Sequence, residues 1–407
     1  MKTRLHPQRG FTLVEALVAT SVTVLVTAGI FDVLRPSSGV FQVQPEASDM
    51  QQRLRVAVDQ LTHDLMNAGA GPYSGVNDTT NGQTVRSLVN YFAPVLPYIH
   101  SSSANDDGQG KFFSTRISVM YVPMAAAQAS LTSDMASNVT AVQVDDPLRR
   151  FNAGGVDGLD GTRAVIYDAT GAFDEFVVSA IEVNGGHLDL EHSPLSQSYK
   201  LPSRIAEVTS HSYFLKPDTR QLMHDQGLAV ATPVLDNVIG LTFEYYGDPG
   251  PPALLAPDTP NLSTSYGPPP PGLDAPTPVG SWPQGENCVW AIQRAGNAPT
   301  YVSRLLPLGD GRSGALVLLK AADLTDGPWC PDAANKNRYD ADLLRIRKIR
   351  VTVRLQTGNA ALRGSGALAQ GPDSLFAIPG TATALARTVP DQTIRFDVSP
   401  RNLNLGR

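Results

Sequence analysis

One stretch near the N-terminus constrains this chain more than anything else in it. From Phe11 to Phe31 the sequence FTLVEALVATSVTVLVTAGIF is apolar or small at every position except Glu15. As a helix, Phe11 to Leu34 rises about 36 Å, enough to cross a hydrocarbon core of about 30 Å. The preceding residues 1–10, MKTRLHPQRG, carry Lys2, Arg4 and Arg9 and no acid. A basic flank of this kind stays cytoplasmic, so everything after Pro36 is expected across the membrane. Pro36 is also expected to end the helix, because proline lacks an N–H and clashes with the preceding turn.

Glu15 is out of place in such a run. An ionised acid well inside a membrane helix costs about 2.5–3.5 kcal/mol and normally has a partner. No basic residue lies within a helical turn or two on the membrane side. The acid is therefore either protonated or paired with a group from another molecule.

The stretch Gly10-Phe11-Thr12-Leu13-Val14-Glu15-Ala16-Leu17 resembles the class III signal of type IV prepilins and type II secretion pseudopilins. The resemblance implies that a prepilin peptidase cuts between Gly10 and Phe11 and methylates the new N-terminal Phe11. Glu15 then becomes the fifth mature residue, and its carboxylate pairs with the N-terminal amine of a neighbouring subunit. Such a pairing offsets desolvation only where the geometry is good. Two other readings of the segment are an ordinary signal anchor and a secretory signal peptide cleaved near Val26-Thr27-Ala28. A charge within the apolar region weakens the second.

After Pro36 and Pro45, a second periodic segment places Met50, Leu54, Ala57, Val58, Leu61, Leu65 and Ala68 on one helical stripe. Arg53, Arg55, Asp59 and Asp64 lie off it, and Gly69-Ala70-Gly71-Pro72 stops it. Beyond residue 110, short strands dominate: Arg116–Val122, Ala164–Tyr167, Phe173–Val183, Val208–Leu215, Val234–Tyr246, Ala315–Leu319, Ile346–Gln356 and Thr393–Val398. One helix followed by many strands predicts an α+β fold with an antiparallel sheet. Three pieces resemble strands of PilW-type minor pilins and J-type pseudopilins. They are Val234–Val238 with Leu241–Tyr246, the basic alternation Leu344–Arg354, and the ending Phe396–Leu403. The alternating arginines are expected on a solvated sheet face.

Between Pro249 and Pro283 lie twelve prolines, which exclude a central strand or a helix and predict polyproline II or irregular loop. Cys288 and Cys330 follow, with Trp282, Trp290 and Trp329 around them. In an oxidising compartment this pair is expected to form a disulfide, worth about 4 kcal/mol on the chain-entropy view. The chain thus divides into a leader (1–10), a membrane helix (11–35), an amphipathic helix continuing into the head (46–68), a β-rich pilin-like head (73–247), a Pro-rich insertion with the Cys and Trp residues (248–340), and closing strands (341–407). The overall expectation is a long N-terminal helix packed on an antiparallel β-sheet head, with a disulfide-stapled insertion.

Catalytic chemistry is hard to find. Gly309–Gly314 fits G-x-G-x-x-G, but Pro307 precedes it and a strand-like run follows, so it reads as a turn. His6, His63, His100, His187, His192, His211 and His224 are scattered, with no H-E-x-x-H spacing. Asn105–Gly108 and Asp157–Gly161 have oxygen ligands but not the EF-hand spacing; Asp-Gly turns are the common explanation, and a calcium site is the alternative. No cofactor, metal site or catalytic residue is predicted. A net charge of −6, made more negative by loss of the basic leader, argues against nucleic-acid binding.

The resemblance therefore implies a non-enzymatic minor pilin or pseudopilin, held in the inner membrane with a periplasmic head. Its expected partners are the prepilin peptidase, other minor pilins or pseudopilins and the major pilin. A membrane-anchored extracytoplasmic hydrolase and an adhesin-like binding module are the alternatives.

Overall fold

The computed structural model describes residues 11–71, 91–101, 105–146, 150–153, 161–168, 171–227, 230–252, 286–295, 298–309, 314–331, 337–359, 362–363 and 389–404. Its first element, helix α1, spans Leu13–Asn67 without interruption. The break expected at Pro36 and Pro45 does not occur. Each proline removes one N–H donor, but the remaining intrahelical bonds keep the register. The membrane and amphipathic segments are thus two halves of one rod.

The C-terminal half of α1 buries the predicted stripe. Met50, Leu54, Ala57, Leu61, Leu65 and Ala68 are each at most 5% exposed, whereas Val58 is only half-buried. Asp64 departs from its expected place, being buried. It follows Leu61 by three residues and precedes Ala68 by four, so the same helical face carries it inward. Gly69 ends the rod in a left-handed conformation, φ 70°, with its N–H on the Met120 carbonyl. A Cβ there would lie 3.0 Å from Leu403 and 3.3 Å from Pro94, so glycine is needed for space as well as for φ.

Among the described residues every strand pairing is antiparallel. A five-stranded sheet runs in the order Val95–Leu96, Arg116–Tyr121, Thr209–Lys216, Gln221–Asp225, Thr232–Leu235. A four-stranded sheet runs Val317–Leu319, Val238–Gly247, Ile346–Leu355, Gln392–Val398. Helix α1 and these two sheets enclose the main core, where Leu61 and Leu65 join Val119, Tyr213, Leu235, Leu241, Val351 and Val398. A seven-stranded sheet runs Phe173–Val177, Arg163–Asp168, Ser203–Glu207, Gln128–Leu131, Ala141–Asp145, His187–Glu191, Ala180–Asn184, and carries a second core around Val144, Ile166, Leu190 and Tyr199. The expected α+β class with a helix on antiparallel sheet is what the chain adopts.

Two predicted strands are divided. Val234–Tyr246 breaks at Asn237, whose φ of 61° ends one strand and starts the next in a different sheet. Phe173–Val183 becomes Phe173–Val177 and Ala180–Asn184, on opposite edges of the seven-stranded sheet. Within the 248–340 segment, Val317–Leu319 joins the four-stranded sheet, and Trp290–Ala295 pairs with Ala298–Ser303. The prolines from Pro257 to Pro283 and Trp282 lie outside the described residues.

Candidate functional site

At the start of α1, Thr12 is the N-cap and Glu15 the third helical residue. Thr12 donates its backbone N–H to Glu15 Oε2 at 3.0 Å and its hydroxyl to the same oxygen at 2.8 Å, while the Glu15 N–H reaches Thr12 Oγ1 at 3.3 Å. This reciprocal capping box satisfies helix-terminal donors and holds the carboxylate at the head of the rod. The sequence reading missed it, although Thr12-Leu13-Val14-Glu15 is the S/T-x-x-E pattern; Glu15 therefore has an intrachain partner. Gly10 and the rest of the leader lie outside the described residues.

Around the cap, the rod is bare. Leu13–Asp32 has a mean hydropathy of 2.0 and none of it is buried, with Phe11 85%, Leu13 81% and Leu25 72% exposed. Among the described residues, one helix is therefore long and apolar enough to cross a membrane, and no described part of the chain covers it.

A second constellation lies where the head end of α1 crosses the five-stranded sheet. Alternation along Thr209–Lys216 places His211 and Tyr213 on one face, and the register pairs Tyr213 with His224. The neighbouring strand brings Tyr121 beside His211, and helix positions 60 and 64, one turn apart, lay Gln60 and Asp64 over the sheet. Asp64 Oδ2 is 3.2 Å from His211 Nδ1 and 3.6 Å from His224 Nε2, and those two nitrogens are 2.8 Å apart. Tyr213 donates its hydroxyl to Asp64 Oδ2 at 2.5 Å. Tyr213 stacks on His224, His224 on His211 and His211 on Tyr121, with centroids 4.5, 5.0 and 5.6 Å apart. Burial, reinforced by His211, lowers the His224 pKa to about 4, so its ring is neutral at neutral pH. Burial of Asp64 opposes its ionisation, yet the bonds from His211 and Tyr213 outweigh that and lower its pKa. Sequence reasoning left these histidines scattered; only strand register joins them.

The remaining candidates resolve as structure. Cys288 and Cys330 are bonded, with Cα atoms 5.5 Å apart, and both are fully buried in the main core. Asp107 is spent on the Ile99 N–H at 2.8 Å and on an ion pair with Arg116. Residues 157–160 lie outside the described residues, as do 310–313 of the Gly309–Gly314 motif. His187 and His192 sit in and beside the seven-stranded sheet, away from His211. The basic strand is not a bare solvated face: Arg350 pairs with Asp397 at 2.6 Å, Arg354 with Asp391 at 2.9 Å and Arg347 with Asp248 at 2.8 Å. Arg345, just before it, is fully buried, ion-paired with Asp342 at 2.7 Å and donating to the carbonyls of Pro249 and Leu306 at 3.0 and 2.6 Å.

The family model for the prokaryotic N-terminal methylation motif matches residues 5–31. That span takes in Gly10, Phe11, Glu15 and most of the apolar rod, and it makes the N-terminus one of prepilin type. The chain is thus pilin- or pseudopilin-like in the segment by which such proteins are recognised, and the head lies outside the match. No curated protein matches the chain.

Proposed function

We propose that the protein is a minor pilin or pseudopilin, a non-enzymatic subunit of a type IV pilus or type II secretion pseudopilus. The observation that carries this is the methylation motif running into an apolar helix that no described part of the chain covers. Exposed apolar surface of that extent needs lipid or neighbouring helices against it. Before assembly, the inner membrane covers it; a prepilin peptidase cuts between Gly10 and Phe11 and methylates Phe11. In the filament, helices of other minor pilins and of the major pilin replace the lipid, and the head faces outward.

Glu15 supplies the register of assembly. The Thr12 cap fixes its carboxylate at the rod's end, where the Phe11 amine of an adjacent subunit neutralises it. A head with three sizeable sheets is bulky for a repeating unit, which favours a low-copy position at the tip or in initiation.

Replacing Glu15 with Ala tests the assembly role. The variant should insert in the membrane and fold its head, yet be missing from sheared filaments or pseudopili. Incorporation at the wild-type level would contradict the pairing.

A further inference from the structure

We propose that Asp64, His211 and His224 form a binding site for one divalent transition-metal ion of the zinc class, tying helix α1 to the five-stranded sheet. The inference stands on the fold of the head and does not depend on the pilin reading.

The geometry is that of a ligand set. Zinc holds nitrogen and oxygen donors at about 2.0–2.1 Å, which in a tetrahedral array sets them about 3.3 Å from one another. The three atoms here, Asp64 Oδ2, His211 Nδ1 and His224 Nε2, are separated by 3.2, 3.6 and 2.8 Å. A single ion reaches all three, and water completes the coordination. Two imidazoles with one carboxylate suit zinc and its neighbours, whereas calcium and magnesium call for oxygen donors throughout.

The surroundings are those that metal-binding histidines need. Such a ring uses one nitrogen on the ion and hydrogen-bonds through the other, which fixes its tautomer and orientation. His211 Nε2 is 3.1 Å from the Tyr121 hydroxyl, and His224 Nδ1 is 3.2 Å from the Gln60 amide, whose oxygen and nitrogen exchange by a simple flip. Both inner nitrogens are then left with lone pairs directed at the same point. Asp64 Oδ2 has room for two partners, the Tyr213 hydroxyl on one side and the ion on the other. The side chains of Asp64, His211 and His224 are 8%, 12% and 3% exposed, so the ligands are already ordered and shielded.

The test uses the untagged full chain in detergent, stripped with a chelator and titrated with zinc or cobalt. One equivalent of zinc should bind, and cobalt should give the strong visible bands of a four-coordinate site. His211→Ala and His224→Ala should each weaken zinc binding by more than about a hundredfold, and Gln60→Ala by about ten- to a hundredfold. His187→Ala, changed in the seven-stranded sheet, should bind as the wild type does. Zinc should raise the melting temperature of the wild type and not of His224→Ala. The proposal is overturned if the folded wild type takes up no stoichiometric zinc, or if cobalt gives only the pale spectrum of the hexaaquo ion. It also fails if His187→Ala loses as much affinity as His224→Ala. The cobalt spectrum needs no variant, so a variant that misfolds does not remove the test.

Discussion

Arg345 shows how much one side chain can carry in this head. Its guanidinium pairs with Asp342 and donates to the carbonyls of Pro249, where the proline-rich segment begins, and of Leu306, beyond its end. The backbone around it is equally tight: a Cβ on Gly247 would come within 2.5 Å of the Arg345 carbonyl oxygen. Removing one partner of a buried ion pair leaves the other charge uncompensated, so Arg345→Ala should cost about 3–5 kcal/mol in denaturant unfolding. A loss below about 1 kcal/mol would show that the contacts at Pro249 and Leu306 do not matter to the fold. Tyr213 offers a milder case. Tyr213→Phe deletes a hydrogen bond to a charged group and should cost about 1.5–3 kcal/mol by the same measurement.

Among the elements, α1 decides whether the head holds together, because its buried stripe is the floor of the main core. Leu61→Ala should lower stability by about 2–5 kcal/mol, the usual range for a fully buried leucine in a packed core. The five- and seven-stranded sheets share the main core through Val165, Tyr167 and Phe173, and a buried ionic contact adds to it. Glu175 lies 2.9 Å from His100 and 2.8 Å from Arg163. Burial opposes its ionisation, but the contacts with His100 and Arg163 outweigh that and bring its pKa down from 4.5 to about 2. A carboxylate with a depressed folded pKa stabilises the fold above its unfolded value and loses that contribution as pH falls. Stability should therefore decline from about pH 4.5 toward pH 2, and Glu175→Gln should flatten that slope. An unchanged slope in the variant would assign the acid sensitivity elsewhere. The helical stripe was readable because a period near 3.6 needs only local sequence. Asp64 was misplaced because polarity alone put it outside, when its angular position put it inside. The continuity through Pro36 and Pro45 was not readable either, since local rules count the lost donors and not the bonds that remain.

On the scale of the whole molecule, residues distant in sequence are joined in ways that no window of sequence displays. The cap at Thr12 and Glu15 was available as a four-residue pattern, and the bond between Cys288 and Cys330 followed from compartment and count. The association of Asp64, His211 and His224 was not available, because it depends on how Thr209–Lys216 pairs with Gln221–Asp225 and on where α1 crosses them. Strand splitting at Asn237 was hidden for a similar reason: a run of β-formers does not reveal a change of sheet. The disulfide sits in the main core, so the Cys288→Ala/Cys330→Ala double variant should lose about 2–5 kcal/mol and unfold at lower temperature. Equal stability would mean that the surrounding sheets alone fix that part of the chain. The prepilin-type N-terminus is the feature on which the functional account rests, and its direct test is the mass of the N-terminal peptide from protein purified out of its native host. The account predicts a chain that begins at N-methylated Phe11. A chain that keeps Met1, or that begins at Gly29 after removal of the apolar segment, would contradict it.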